Sequence, residues 1–237
     1  MTPDGSDPAT WFNFGTPARN PVNPMWAYGG KDAQIRVTRP LLKKDQTDPN
    51  GLYVFPSIRS KENDRQLSPM NLGPCRLYRE YTAKKMENAW QYSKVYPQHV
   101  GEDGNPTLQY YQWAIQGWSS EFTKRHPMVE EAKGTEAFHW WNWQRLDKVK
   151  ARKWIYVPLY VEQVVRQPFF QQLKKDWDEE IEPDEKKTLY LMDYDAYKYG
   201  TMSLSEVLNN PAKPMGHGFV LAMLLTNDAA LGECELR

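Results

Sequence analysis

The sequence predicts a single-domain α+β fold, mainly helical, with a few short strands. Three observations lead to this prediction. Several segments carry apolar residues at helical spacing, short β-branched and aromatic runs are bounded by turn-forming residues, and no repeat or low-complexity linker divides the chain. The chain has 237 residues, which is enough for one sizeable core.

The N-terminal region is predicted to be an arm that precedes two strands. Residues 1–24 are rich in Pro, Gly, Asn and Asp, which predicts an irregular segment, and residues 25–237 are assigned to the single domain. Strand character follows at residues 36–39 and 52–57, and the turn-prone sequence DPNG separates the two.

Helices are predicted through the middle of the chain. Apolar spacing indicates one at residues 83–95, which Pro97 would terminate, and another at residues 108–123. Residues 137–148 are strongly aromatic, and their lack of Gly and Pro favours helix over strand. A further helix is expected at residues 161–176, kinked or split at its internal proline.

The C-terminal part combines a short strand with two helices. Residues 189–192 suit a strand. Ser203 is a potential N-cap, because Glu206 follows at the capping-box distance. Residues 216–225 form an apolar final helix.

One octapeptide, ENAWQYSK at residues 87–94, carries the clearest chemical signal. On a helix, Glu87, Gln91 and Lys94 would fall at i, i+4 and i+7 and form one polar stripe. An acid, an amide and an amine would then line a single wall, with Trp90 beside them. A solvated amphipathic face is the alternative interpretation.

The same octapeptide, E-x3-Q-x2-K after the short turn segment LSPMNLGP, resembles the NADAR family of YbiA-like proteins. The resemblance covers about residues 52–226 and suggests that family's single-domain fold. Further pieces in matching order are YVFPS at 53–57, WIYVPLYVEQVVRQPFF at 154–170, DAYKYG at 195–200 and GFVL at 218–221. Two departures stand out: Tyr199 replaces a tryptophan in a segment one residue too long, and Met215 stands where the family has asparagine.

The resemblance implies N-glycosidase chemistry on a ribosylated base or on ADP-ribosylated guanine, with the lysine among the catalytic groups. Such cleavage needs an acid that helps the base leave and a carboxylate or amine that stabilises or traps the sugar cation. We expect Glu87 and Lys94 to carry the chemistry, with Gln91 orienting one of them. Asp195 is the third catalytic candidate, holding ribose hydroxyls or water, although a turn-forming or capping role is equally consistent with its context.

Binding roles are predicted for a larger set of residues, which is Ser68, Asn71, Trp90, Gln91, Tyr197, Tyr199 and Gly218. Each has a structural alternative: a plain turn at residues 68–71, core packing for the two tyrosines, and tight helix packing for the glycine. His139, which lies among tryptophans, is expected to be a buried, hydrogen-bonded histidine rather than a base.

Composition limits the remaining possibilities. The formal net charge is zero, which disfavours extended nucleic-acid binding but allows a site for one nucleotide or one exposed base. Cys75, Cys234 and the four histidines show no metal-ligand spacing, so neither metal nor cofactor is predicted. Without a signal peptide or an apolar span of about 20 residues, a cytoplasmic location with no membrane partner is expected.

Charge and aromatic content leave three functions open. The chain has a basic run at residues 145–153 and an acidic run at residues 176–185. One interpretation is that they are two solvated segments that face each other, and the other is that the basic run forms a phosphate-holding rim. Aromatics at 14% suit a cleft for planar or sugar-like ligands. The leading function is an N-glycosidase for a ribosylated or ADP-ribosylated base or nucleotide, free or within nucleic acid. The alternatives are a non-catalytic ADP-ribose-binding module and a structural or interaction protein.

Overall fold

The computed structural model describes residues 33–60, 62–124, 135–196 and 202–236. The predicted arm at residues 1–24 lies outside these ranges, as do Tyr197 and Tyr199. Helix accounts for 41% and strand for 15% of the structure, and the strands form several small sheets. The predicted α+β class with more helix than strand is therefore confirmed.

A parallel three-stranded sheet lies at the centre of the fold. Strand β8 (Thr188–Met192) lies between β1 (Ile35–Thr38) and β2 (Gly51–Val54) and runs parallel to both. All five residues of β8 are buried, which explains why this strand is a nearly continuous apolar run. The predicted strands are confirmed, although β2 ends before Pro56, which has no N–H to donate to a ladder.

Helix α8 (His217–Thr226) packs against this sheet and against α5 (Val157–Val164). Its residues from Gly218 to Leu225 are all buried, so the helix is apolar on every face, as expected of a central core helix. The preceding helix α7 (Leu204–Leu208) begins at a complete capping box between Ser203 and Glu206, as predicted.

A long helical region spans residues 148–181, with one break. Helix α4 (Lys148–Ala151) continues through a π-helical turn into α5, and α6 (Pro168–Asp176) follows after a break. Pro168 is the first residue of α6, so it splits the helical region in two, as predicted. A second π-helical turn, Trp177–Ile181, ends the region.

The predicted helix at residues 83–95 is wrong at both ends. Helix α2 covers only Met86–Gln91, and Lys94 already belongs to strand β5 (Lys94–Val95). The hydroxyl of Ser93 donates to the Trp90 carbonyl oxygen over 2.7 Å and so ends the helix. The segment after it then pairs with a strand more than 40 residues away, a contact that local spacing does not reveal.

The aromatic segment at residues 137–148 is a β-hairpin rather than a helix. Strand β6 (Phe138–Trp141) pairs with β5 on one side and with β7 (Gln144–Leu146) on the other. Asn142 and Trp143 form the turn with φ of 44° and 66°, the left-handed conformation that tight hairpins require. Aromatic residues favour strands, and that tendency outweighs the absence of Gly and Pro.

Helix α3 is shorter than predicted. It covers Leu108–Trp118 and stops before Phe122, which is 80% exposed. Residues of the acidic run form ion pairs with nearby lysines: Asp178, Glu179 and Glu180 pair with Lys174, Lys175 and Lys187, respectively. The remaining short elements are β3 (Cys75–Arg76) and β4 (Thr82–Ala83), which pair, α1 (Glu62–Arg65), and the 3-10 turns Lys43–Asp45, Pro97–His99 and Ala229–Glu233.

Candidate functional site

A cavity of about 610 Å³ opens beside the carboxyl ends of two parallel strands. The loops that follow β2 and β8, residues 55–59 and 193–195, form one side of it. Further lining residues come from helix α2, strand β5, helix α4 with the π-helical turn after it, and the start of α8. The segments 68–70 and 212–215 and Glu136 also contribute. Ligands of open α/β sheets commonly bind at the carboxyl ends of strands, and the volume suits a drug-sized molecule.

Glu87, Gln91 and Lys94 of the octapeptide form one hydrogen-bonded row in this cavity. The Gln91 amide donates through Nε2 to Glu87 Oε1 over 2.9 Å and accepts from Lys94 Nζ at Oε1 over 2.7 Å. Lys94 lies on β5, so the predicted i+7 position on a helix is wrong. The reversal at the end of α2 nevertheless brings its amine to the amide, and the row joins an acid to an amine through one side chain.

The amine of Lys94 lies in a mixed electrostatic environment. Burial lowers its pKa below the ordinary lysine value, which increases the fraction present as free amine. The carboxylates of Glu136, Glu87 and Asp195 act in the opposite direction, while Lys148 adds to the lowering. The nitrogen also lies 5.7 Å from the centroid of the Trp90 ring, within cation–π distance.

The indole ring of Trp90 stacks on the ring of the buried His139. The His139 ring stacks on the indole with centroids 4.5 Å apart, and its Nδ1 lies 3.0 Å from Ser93 Oγ. Because the Ser93 hydrogen is donated to a backbone carbonyl, Nδ1 must be the donor in that pair. Burial lowers the pKa of His139 well below its usual value, so the ring is neutral, and the prediction of a buried, hydrogen-bonded histidine is confirmed.

A second group of residues joins the end of β8 to the start of α8. Asp193 is buried and accepts hydrogen bonds from the N–H groups of Asp195 and Gly218 over 2.8 and 2.7 Å. A methyl group on Gly216 would overlap the Asp193 carboxylate, so the glycine is required for this close approach. His217 donates from Nε2 to the Pro56 carbonyl over 2.7 Å and places Nδ1 3.5 Å from Asp193 Oδ2.

The predicted site residues separate into those that line the cavity and those that do not. Lining residues among them are Glu87, Trp90, Gln91, Lys94, Asp195 and Ser68. The Asn71 amide donates instead to the Arg65 carbonyl over 2.8 Å, and Asn71 does not line the cavity. The N–H of Gly218 donates to Asp193 Oδ2, and Gly218 is not among the lining residues.

Several lining residues were not identified from the sequence. They are Ser57, Arg59, Glu136, Tyr156, Asp193, Tyr194 and His217. Lys148 and Arg152 also line the cavity, and both belong to the basic run for which a phosphate-holding rim is one interpretation of the sequence. The others come from separate loops and elements and form no local pattern.

Arg152 has a structural role within this set. Its buried guanidinium donates through Nη1 to the carbonyls of Val207, Leu208 and Asn210 over 3.3, 3.2 and 2.7 Å, and through Nη2 to that of Lys213. These bonds fix the C-terminal end of α7 and the segment that follows it, whose Ala212, Pro214 and Met215 line the cavity.

Membrane-spanning helices, metal-binding clusters and similarity to known proteins were each searched for. Within residues 33–60, 62–124, 135–196 and 202–236, no helix has both the length and the apolar character needed to cross a membrane. The same residues contain no cluster of three or more His, Cys, Asp or Glu arranged to hold a metal ion. Comparison with protein-family models, curated proteins and solved structures finds no match for this chain.

Proposed function

We propose that the protein is an N-glycosidase that cleaves the bond between ribose and a base in a ribosylated or ADP-ribosylated base, such as ADP-ribosyl-guanine. The observation that carries the proposal is the row from Glu87 through Gln91 to Lys94 inside the cavity. The resemblance of the octapeptide to the NADAR family supports the same chemistry. The substrate is either a free nucleotide or a modified base exposed from nucleic acid.

The proposed reaction uses the two ends of the row in different roles. Glu87 gives a proton to the leaving base as the bond from C1′ to nitrogen breaks and its electron pair moves to the base. The free amine of Lys94 attacks C1′, and the proton that it then loses passes to the Glu87 carboxylate. The bond from C1′ to O4′ then breaks, O4′ takes a proton from Glu87, and a protonated Schiff base remains on Lys94. Water hydrolyses it to the sugar aldehyde and the lysine ammonium, which returns its proton to Glu87.

Other residues position these groups. Gln91 holds the acid and the amine in register because one amide binds both. Asp195 lies close enough to affect the pKa of Lys94 and is placed to hold ribose hydroxyls or water. Trp90, braced by His139, offers an aromatic surface to the base.

Cleavage of ADP-ribosyl-guanine by the wild type and by Glu87→Gln, Lys94→Met and Lys150→Met tests the proposal. Lys150 is exposed on α4 and lies outside the cavity, so its variant is the matched control. We expect the first two variants to lose at least 100-fold in rate, as removal of an acid or nucleophile does, and the control to keep its rate. Wild-type protein that binds ADP-ribose but cleaves no glycoside would contradict the proposal.

Borohydride reduction during turnover tests the Schiff base separately. The expected result is a sugar adduct on Lys94, located by mass spectrometry of the digested protein. An active enzyme with no adduct on Lys94 would remove the covalent step and leave Lys94 as an electrostatic group.

A non-catalytic ADP-ribose-binding module is the second candidate. The observation in its favour is that the Lys94 amine donates to an amide oxygen and lies over an indole, two contacts that favour the ammonium form. In that case Lys94→Met retains affinity for ADP-ribose and the wild type releases no base.

A further inference from the structure

The cationic side chains around the cavity differ in how they are already engaged. Among the described residues, the lysines and arginines that line it are Arg59, Lys94, Lys148 and Arg152. Arg152 is occupied by backbone carbonyls, and Lys94 donates to Gln91. Lys148 lies 3.8 Å from Glu136 and so faces a carboxylate.

Arg59 is different. Its side chain is exposed, and among the described residues no hydrogen bond or ion pair involves its guanidinium. An arginine without a carboxylate at the edge of a cavity is suited to an anionic ligand, because its planar group donates two parallel hydrogen bonds to a phosphate.

The loop that carries Arg59 is fixed at several points. Phe55 N–H donates to Asp64 Oδ2 over 2.8 Å, and Ser60 Oγ donates to the Phe55 carbonyl over 2.5 Å. His217 holds the Pro56 carbonyl over 2.7 Å. Ser57 Oγ accepts from the Arg59 N–H over 3.3 Å, so its own hydroxyl hydrogen stays available to a ligand in the cavity.

The backbone offers no competing phosphate site at the nearest long helix. The start of α8 is where a phosphate would ordinarily bind, but the Asp193 carboxylate already accepts the Gly218 N–H there. A second anion at that position would meet a buried negative charge. The start of α8 is therefore not available to a phosphate group, which leaves the cationic side chains of the lining as the stronger candidates.

We propose that Arg59, assisted by the hydroxyl of Ser57, binds a phosphate group of the substrate. The ligand class is then a nucleotide or an ADP-ribosyl group rather than a nucleoside without phosphate. The assignment to a glycoside substrate rests on the function proposed above, whereas phosphate binding by Arg59 does not. Arg59 lines the cavity and contributes specificity, and it has no assigned part in bond cleavage.

Calorimetric binding of pyrophosphate, ADP-ribose and guanosine to the wild type, Arg59→Gln, Arg59→Lys and Arg166→Gln tests this proposal. Arg166 is an exposed arginine outside the cavity and serves as the control. Loss of a charge-assisted pair should weaken pyrophosphate and ADP-ribose binding to Arg59→Gln about 10- to 100-fold, with partial recovery in Arg59→Lys. Guanosine affinity and the control should not change.

Unchanged pyrophosphate affinity in Arg59→Gln would overturn the proposal, as would a wild type that binds ADP-ribose no more tightly than guanosine. Glu87→Gln separates this proposal from the glycosidase. It should keep pyrophosphate affinity while cleavage is lost. If Arg59→Gln weakens phosphate binding but the wild type cleaves no glycoside, the phosphate site is supported and the glycosidase function is contradicted.

Discussion

Gln91 is the residue on which the candidate chemistry depends most directly, because its amide contacts both the acid and the amine. An amide has a donor end and an acceptor end, so it can hold a carboxylate on one side and an ammonium or amine on the other. No apolar side chain of the same length would keep Glu87 and Lys94 in register.

Replacement of Gln91 by Met should therefore lower kcat at least tenfold while KM changes little, since the variant preserves the cavity but not the row. The loss of both hydrogen bonds of the buried amide should also lower the free energy of unfolding by about 1–3 kcal/mol. Steady-state kinetics and urea denaturation measure both effects. Gln116→Met, on the exposed face of α3, is the control, and a kcat equal to wild type in Gln91→Met would sink the positioning role.

The pKa of Lys94 should respond to its neighbours in opposite directions. Glu136 raises that pKa and Lys148 lowers it, against the larger effect of burial. Glu136→Gln should therefore lower the pKa further and move the rising limb of rate against pH to lower pH. Lys148→Met should move it to higher pH.

The pH dependence of kcat measures these shifts, and the rate of reductive methylation of Lys94 gives a second readout. Glu162→Gln, outside the cavity, should leave both unchanged. Shifts of the same sign in the Glu136 and Lys148 variants would contradict the electrostatic account.

At the scale of elements, the junction between β8 and α8 positions several of the residues that line the cavity. Asp193 ends the strand, binds the first turn of the helix and contacts His217, which in turn holds the loop after β2. One buried carboxylate thus links three segments that line the cavity.

Gly216→Ala tests this junction, because the added methyl group would displace the Asp193 carboxylate from the helix. We expect the free energy of unfolding to fall by about 1–3 kcal/mol as the buried carboxylate loses its hydrogen bonds. Gly232→Ala is the matched control, since a methyl group there meets open space and should change stability by less than about 0.5 kcal/mol. Equal melting temperatures for the two variants would argue against the close approach.

At the scale of the whole molecule, Arg152 connects the helical region to the C-terminal end of α7 and to the segment before α8, 55 to 61 residues further along the chain. Two of its hydrogen bonds go to α7 carbonyls and two to the carbonyls of Asn210 and Lys213 in that segment. The segment in turn supplies part of the cavity wall, so stability and ligand affinity are coupled here.

Arg152→Met should therefore lower the free energy of unfolding by about 1–3 kcal/mol, because buried carbonyl oxygens lose a charged hydrogen-bond donor. ADP-ribose affinity should fall in the same variant because Met215 and its neighbours lose their support. Arg166→Met, with an arginine side chain that is 61% exposed, should stay within about 0.5 kcal/mol of wild type. Chemical denaturation and calorimetry give the two numbers, and a stable variant with weakened binding would place Arg152 in direct ligand contact instead.

The sequence by itself determined the features that arise within a few neighbouring residues. The capping box at Ser203, the break at Pro168 and the apolar helix α8 were predicted correctly, because each depends on local hydrogen bonding, φ restriction or side-chain polarity. The octapeptide indicated the acid, the amide and the amine because all three lie within eight consecutive residues.

Only the tertiary structure decided where those groups lie and what surrounds them. Lys94 joins a strand because β6 pairs with it, and the aromatic segment forms a hairpin because it packs between β5 and α4. Arg59 and Asp193 reach the cavity from the ends of two strands far apart in sequence. Such contacts depend on which segments meet when the core closes, and the spacing of residues along the chain does not encode that directly.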